Sequence, residues 1–176
     1  MKDRIILIDA DVVSHFITGG EILSLGKIFK TPIFMLDKVY AEILRFPKKQ
    51  AFVENLVGYG VIKILDFPEN DQDVKKEYSH IKKVMLRGDG ESACMAVAKF
   101  SKNILASSNL SDTKRYCDMH SIDYLTTMDF LCKALSSGLF DLERCDHFIS
   151  SVLNAKSRLP VKSMKDFVCR KITFCD

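Results

Sequence analysis

The chain has 176 residues, 47% of them hydrophobic and 28% charged, enough to bury one substantial core and short enough for a single domain. Its 26 basic and 23 acidic residues give a net charge of +3, so mean charge selects no partner and any nucleic-acid signal has to come from local arrangement. The first apolar run, Ile5-Ile6-Leu7-Ile8, is cut off by Asp9 and Asp11. That is too short for a signal-peptide core or a membrane span, which points to a cytoplasmic protein without a membrane partner. Six cysteines, at 94, 117, 132, 145, 169 and 175, show no C-x-x-C spacing, and four lie in apolar helical stretches. They read as reduced core residues rather than as a disulfide framework.

Residues 4–9 form a continuous aliphatic run closed by an acid, the pattern of a strand buried on both faces of a parallel sheet. Two short helical pieces, 12–17 and 21–29, break at Gly19-Gly20, and Pro32 introduces a second buried strand at 33–36. Asp37 is placed to cap a helix with Val39, Tyr40, Ile43 and Leu44 on one face and Glu42 on the other, ending near Phe46-Pro47. A third strand follows Gly60 at 61–65, and the polar turn 68–73 leads into a helix reaching Lys83. Gly88-Asp89-Gly90-Glu91 opens a helix rich in small residues that runs to Phe100. Then come a strand at 103–107, a short helix at 112–119, a fifth short strand at 122–125 and a helix at 127–135 stopped by Gly138. A last helix covers 142–153, while 157–176 lacks a helical period and is open as an added edge strand or a partner-binding tail. The expected division is a domain at 1–155 and a C-terminal tail or edge extension at 156–176. Repeated strand–helix units with short connections predict an α/β fold of three layers, α/β/α, around a central parallel sheet of about five strands.

In such sheets, sites form outside the carboxyl ends of the strands. Asp9 ends the first strand, Glu42 lies on the helix after the second, Glu91 is in the first turn after Gly90, and Asp112 follows the strand ending at Ser107. Singly, each has a structural explanation as a cap, a solvated face or a first-turn acid. Together, four carboxylates in one cleft would repel unless a divalent cation neutralised them, and hard oxygen donors suit Mg²⁺ or Mn²⁺ rather than zinc. Asp11 and Asp89 stand close by as substitute ligands, or as caps. Lys48-Lys49, Lys75-Lys76, Lys82-Lys83 and Lys114-Arg115 are basic pairs able to contact phosphates, with solubilising charge the alternative for each. Arg87, Lys114 and Arg115, beside the acids, are the strongest RNA-binding candidates. Tyr40 and Tyr116 read as core rather than as base-stacking rings, and His15, His80, His120 and His147 fit no catalytic triad.

Taken in order, Ile5-Ile6-Leu7-Ile8-Asp9-Ala10-Asp11, Val39-Tyr40-Ala41-Glu42-Ile43-Leu44, Gly90-Glu91-Ser92-Ala93 and Ile104-Leu105-Ala106-Ser107-Ser108-Asn109-Leu110-Ser111-Asp112 resemble the acidic motifs of PIN-domain nucleases. Residues 121–139 look like the late segment of a prokaryotic PIN-like branch, so the resemblance covers residues 4–153 and rests on the order of motifs that are unspecific singly. It implies a PIN-like fold in which Asp9, Glu42, Glu91 and Asp112 are the catalytic acids and metal ligands. Asn109 with Ser107 or Ser108 would be polar helpers at the strand end. The activity implied is that of a Mg²⁺- or Mn²⁺-dependent endoribonuclease acting on single-stranded or structured RNA by metal-assisted hydrolysis. RNA is then the partner, joined by an antitoxin protein if the chain is the toxin of a toxin–antitoxin pair, and a homodimer is open. One departure bears on this: Ser107-Ser108-Asn109 stands where many members carry an acid, so the fourth ligand rests on Asp112. The alternative is a catalytically inactive PIN-like module that binds RNA or protein. A haloacid dehalogenase-like phosphatase is a further rival, since Asp9-Ala10-Asp11 resembles its nucleophile motif. The order opposes it: Gly88-Asp89-Gly90 precedes Ser107, whereas that class needs its late acidic pair after a further strand.

Overall fold

The computed structural model describes residues 4–85, 88–109 and 111–175, with only the backbone of Asp112. Five strands, β1 (Ile6–Ile8), β2 (Ile33–Leu36), β3 (Lys63–Leu65), β4 (Ile104–Ala106) and β5 (Tyr124–Leu125), form one sheet in the order β3-β2-β1-β4-β5, every pair parallel. The unbroken aliphatic runs at β1 and β4 are wholly buried, as central strands covered on both faces require, whereas Lys63 at the edge is exposed. The connections carry α1 (Ala10–Thr18), α2 (Leu25–Ile28), α3 (Asp37–Leu44), α4 (Pro47–Gly58), α5 (Gln72–Met85), α6 (Asp89–Ser101) and α7 (Asp112–His120). After β5 follow α8 (Thr127–Ser136) and α9 (Leu142–Asn154).

One group of helices packs through α1 against α9 and through α8 against α2 and α9; the other packs α5 and α7 on α6. Between the groups lies the sheet, giving the expected three-layer α/β/α architecture. α3 starts on the residue after β2 and touches α1 and α4 on one side and α6 on the other, so it bridges the two groups. Under the first group, Phe16 meets Phe130 and Phe148 edge-on at centroid distances of 5.7 and 5.0 Å, an arrangement the ring quadrupoles favour. No helix among the described residues is long and apolar enough to cross a membrane.

Four expectations are corrected. Pro47 does not simply end the helix before it: it opens α4, where its missing N–H costs nothing and its fixed φ suits the first turn. Leu36, not Asp37, holds the N-cap position of α3, and Asp37 is its first residue. Among described residues of the tail there is no strand, only a 3-10 turn at Met164–Asp166 within irregular chain. Finally, Cys132 of α8 is disulfide-bonded to Cys169 of the tail, with Cα atoms 5.8 Å apart, so the expectation of six reduced thiols fails at these two. Cys94, Cys117 and Cys145 are buried thiols, as expected.

The tail has a second fastening. Arg170 donates from Nε and Nη2 to the two carboxylate oxygens of Asp129, each at 2.8 Å, and from Nη2 to the Tyr124 carbonyl. Asp129 is buried and at the same time accepts from the Thr126 N–H and hydroxyl in the capping box that starts α8. Closing a 37-residue loop by the disulfide stabilises by about 4 kcal/mol through the unfolded chain. Cys169→Ser is therefore expected to lower the urea midpoint of the oxidised protein, and reductant should bring wild type down to the variant; equal midpoints without reductant would refute the bond.

Candidate active site

The chain moves from β1 outward to β2 and β3 and then returns to the other flank of β1 as β4, so the direction of winding reverses between β1 and β4. A crevice opens beyond the carboxyl ends of strands at such a reversal. Ile8 pairs with Ala106, and the Asp9 N–H donates to the Ala106 carbonyl at 2.9 Å, which sets Asp9 beside Ser107 at the mouth of that crevice. Asp9 accepts from the Ala10 N–H at 2.8 Å and so caps α1, yet its side chain is only 5% exposed. Burial raises its carboxyl well above the usual range; the negative charges of Asp11 and Glu91 add to this, the Ala10 N–H opposes it, and Glu42 adds again.

The other acids are held by named donors. Asp11 accepts from the Ser108 N–H at 2.8 Å, the Ser107 hydroxyl at 3.4 Å and the Val12 N–H at 2.6 Å. Burial nevertheless pushes it up to about 6, with Glu91 contributing against those N–H donors. Glu91 accepts on Oε1 from Asn109 Nδ2 at 3.2 Å and from the Thr113 hydroxyl at 2.8 Å, so α7 and the end of β4 both fix a side chain of α6. Glu42 on α3 accepts the Gly90 N–H at 3.0 Å, satisfying a first-turn donor of α6. A Cβ at residue 90 would sit 2.8 Å from Glu42 Oε2 and 3.1 Å from the Val39 Cα, so only glycine lets α6 approach α3 this closely. The buried Cys94 thiol registers the convergence: after burial, the charges of Asp9, Asp11, Glu42 and Glu91 raise its pKa.

Three of the four expected acids, Asp9, Glu42 and Glu91, thus share one electrostatic site, joined by Asp11. The Asp112 side chain and Arg87 lie outside the described residues. Asp89 does not join them; Tyr78 and Lys82 engage its carboxylate on the α5 side. Lys114 borders a groove with Ser108, whereas Arg115 lines a separate pocket with Glu77 and Tyr116. Lys49 donates to the Ser14 hydroxyl and Lys75 pairs with Glu69, structural uses for two of the basic pairs. Tyr116 is buried and donates to Glu77, a core role as expected.

Sequence reasoning missed Thr113 and the contact of His15 Nδ1 with the Thr127 hydroxyl at 2.8 Å, which Ser108 joins from the end of β4. Burial, helped by the charge of Lys49, pushes His15 down to about 4, so this imidazole is neutral at pH 7. A cleft of about 530 Å³ opens over Asp11, His15, Ser108 and Asn109 and is walled by Arg158 and Leu159 of the tail.

The site is therefore that of an α/β protein with carboxylates gathered at the switch point of a parallel sheet. Its donor chemistry, hard oxygens with hydroxyl and amide neighbours, matches a divalent cation of the Mg²⁺ or Mn²⁺ kind. Among the described residues no three His, Cys, Asp or Glu side chains stand close enough together to hold one ion. No protein-family model, curated protein or solved structure matches the chain.

Two outcomes test this geometry in metal-free buffer. Because Asp11 has a higher pKa folded than unfolded, the folded state binds its proton more tightly: its contribution is fully present below the unfolded pKa near 3.8 and lost as pH rises through about 6. Asp11→Asn should then stabilise at pH 7, by up to about 3 kcal/mol at 1.36 kcal/mol per unit, and gain nothing below pH 4. A pH-independent difference in urea titrations would refute it. Gly90→Ala should cost about 1–3 kcal/mol by overpacking α6 against α3, and a melting temperature unchanged from wild type would mean that the close approach is absent.

Proposed function

We propose that the chain is a PIN-like, Mg²⁺- or Mn²⁺-dependent endoribonuclease. The observation that carries this reading is Asp9, a carboxylate buried at the switch point with three further acids raising its proton affinity. Such a group is kept protonated, or it is matched to a cation that binds there. A divalent cation supplies the positive charge that a water nucleophile and the phosphoryl oxygens need in phosphodiester hydrolysis. The chain's own task is to hold and aim. Asp9 and Asp11 offer oxygens at the end of β1, and Glu91 offers them from α6. Glu42 ties α3 to α6 at their edge, and Asp112 is the fourth acid that the motif resemblance implies.

The strand end Ser107-Ser108-Asn109 has a role in this reading. In place of a carboxylate of its own it donates to Asp11 through Ser107 and Ser108 and to Glu91 through Asn109. A toxin of a toxin–antitoxin pair, acting in the cytoplasm, is the setting the motifs suggest. The Cys132–Cys169 bond is uncommon for that compartment, so redox state belongs among the controlled variables. A module that binds RNA without cleaving it is the second reading, favoured by the lack of three side chains already within reach of one ion among the described residues.

Added to chelator-treated protein, Mn²⁺ is expected to raise the melting temperature logarithmically with its concentration, with about 2.7 kcal/mol of stabilisation at a free concentration of a hundred times Kd. It should also switch on cleavage of an unstructured oligoribonucleotide. Asp9→Asn should stay folded and lose both effects. Wild-type protein showing neither would favour the binding module.

A further inference from the structure

The C-terminal tail is not needed to complete the sheet, yet it walls a second groove of about 370 Å³ against Tyr124, Thr126 and Met128. This groove and the cleft over Asp11 share Ser108, Arg158, Leu159 and Pro160 in their linings, so the two adjoin at these residues. Its charged lining is Lys114, Arg158 and Arg170 with Asp129. Arg170 and Asp129 satisfy each other. Lys114 and Arg158 are exposed and make no ion pair among the described residues. Leu159, Pro160 and Phe167 line the same groove with apolar surface, and Val168, also in its lining, is 90% exposed.

Two cations without ion pairs among the described residues and an apolar surface in one groove match the two halves of a nucleotide. Proteins that hold single strands combine a cationic track for the backbone with apolar or aromatic faces for the bases, and the groove is of ligand-pocket size. We infer that this groove is a nucleotide subsite for single-stranded RNA, with Lys114 and Arg158 on the phosphate and the tail wall of Leu159, Pro160, Phe167 and Val168 against the base. The assignment rests on the ribonuclease reading for its substrate class. Charge and adjacency decide between occupants: two cations without ion pairs call for an anionic backbone, and a strand extended from this groove toward the adjoining cleft of Asp11 would bring a phosphodiester there in a nucleic acid. An acidic peptide would bring only an amide there.

The test uses the full-length oxidised protein with chelator present, so that binding is read without cleavage. A fluorescein-labelled 12-nucleotide oligouridylate is titrated at several NaCl concentrations. Lys114→Ala and Arg158→Ala should each weaken binding and each flatten the slope of log K against log salt by about 0.7, the loss of one phosphate contact on a single strand. Lys76→Ala, on a shallow surface away from the groove, should change neither. Val168→Ser should weaken binding at unchanged slope. Slopes unaffected by Lys114 and Arg158, equal loss in Lys76→Ala, or binding of oligoglutamate but not of RNA each overturn the subsite. RNA binding that depends on Arg158 without any Mn²⁺-dependent cleavage keeps the subsite and removes the nuclease reading. Mn²⁺-dependent cleavage whose KM ignores Lys114 and Arg158 does the reverse.

Discussion

A carboxylate kept out of water at the end of the central strand is the constraint around which this molecule is organised. Asp9 cannot move to solvent, because β1 is buried from Ile6 to Ile8 and its N–H is held by the Ala106 carbonyl. Its carboxylate accepts from the N–H of Ala10, so α1 begins immediately after the strand. Burying this charge beside Asp11 and Glu91 opposes folding at neutral pH, and the large apolar core has to offset it. Stability is given up where the acids meet, a pattern expected of a site rather than of a scaffold position.

The second constraint is the approach of α3 to α6. Glu42 and Glu91 lie on different helices, and what brings them to one place is the missing side chain at Gly90, which lets Val39 and Glu42 close on the first turn of α6. α3 therefore does two things: it closes the sheet's end by bridging the two helical layers, and it supplies an acid that satisfies the positive end of α6. Any change that separates these helices disturbs both the packing and the acid group, so the effects of such substitutions on stability and on the site should not be independent.

What was legible in the sequence follows from which interactions are local. The buried strands at β1 and β4 announce themselves by unbroken aliphatic runs, and Asp9 is visible as the acid that ends one of them. Asp11 could only be ranked as a substitute, because its place depends on Ser108, 97 residues away. Thr113 gives no signal, since nothing in a threonine at the second position of a helix says that it reaches a glutamate 22 residues earlier. α4 was missed because proline was read as a terminator, when the same lack of an N–H also suits a first turn. The disulfide was hidden because Cys169 sits in a stretch without periodicity, and only the return of the tail onto α8 brings it to Cys132.

That return links the tail to the site through the start of α8. Asp129 is shared: it completes the capping box with Thr126 and receives Arg170 from the tail. The next residue after the cap, Thr127, takes its N–H to the Ser108 hydroxyl and its own hydroxyl to His15, while the Ser108 backbone N–H goes to Asp11. Hydrogen bonds linked through the Thr126–Thr127 peptide and through Ser108 thus connect Arg170, the α8 cap and the end of β4 to one of the acids. Two fasteners of different chemistry hold its outer end. With the disulfide closed the tail is tethered whatever the salt; with it reduced, the Arg170–Asp129 pair remains, shielded on the Asp129 side by burial and open to solvent on the Arg170 side. Because the same carboxylate serves the cap and the clasp, loosening the tail removes a charge partner from a buried acid at the helix start. The strand end of the site is held separately, by the pairing of β1 with β4 on which Asp9 sits.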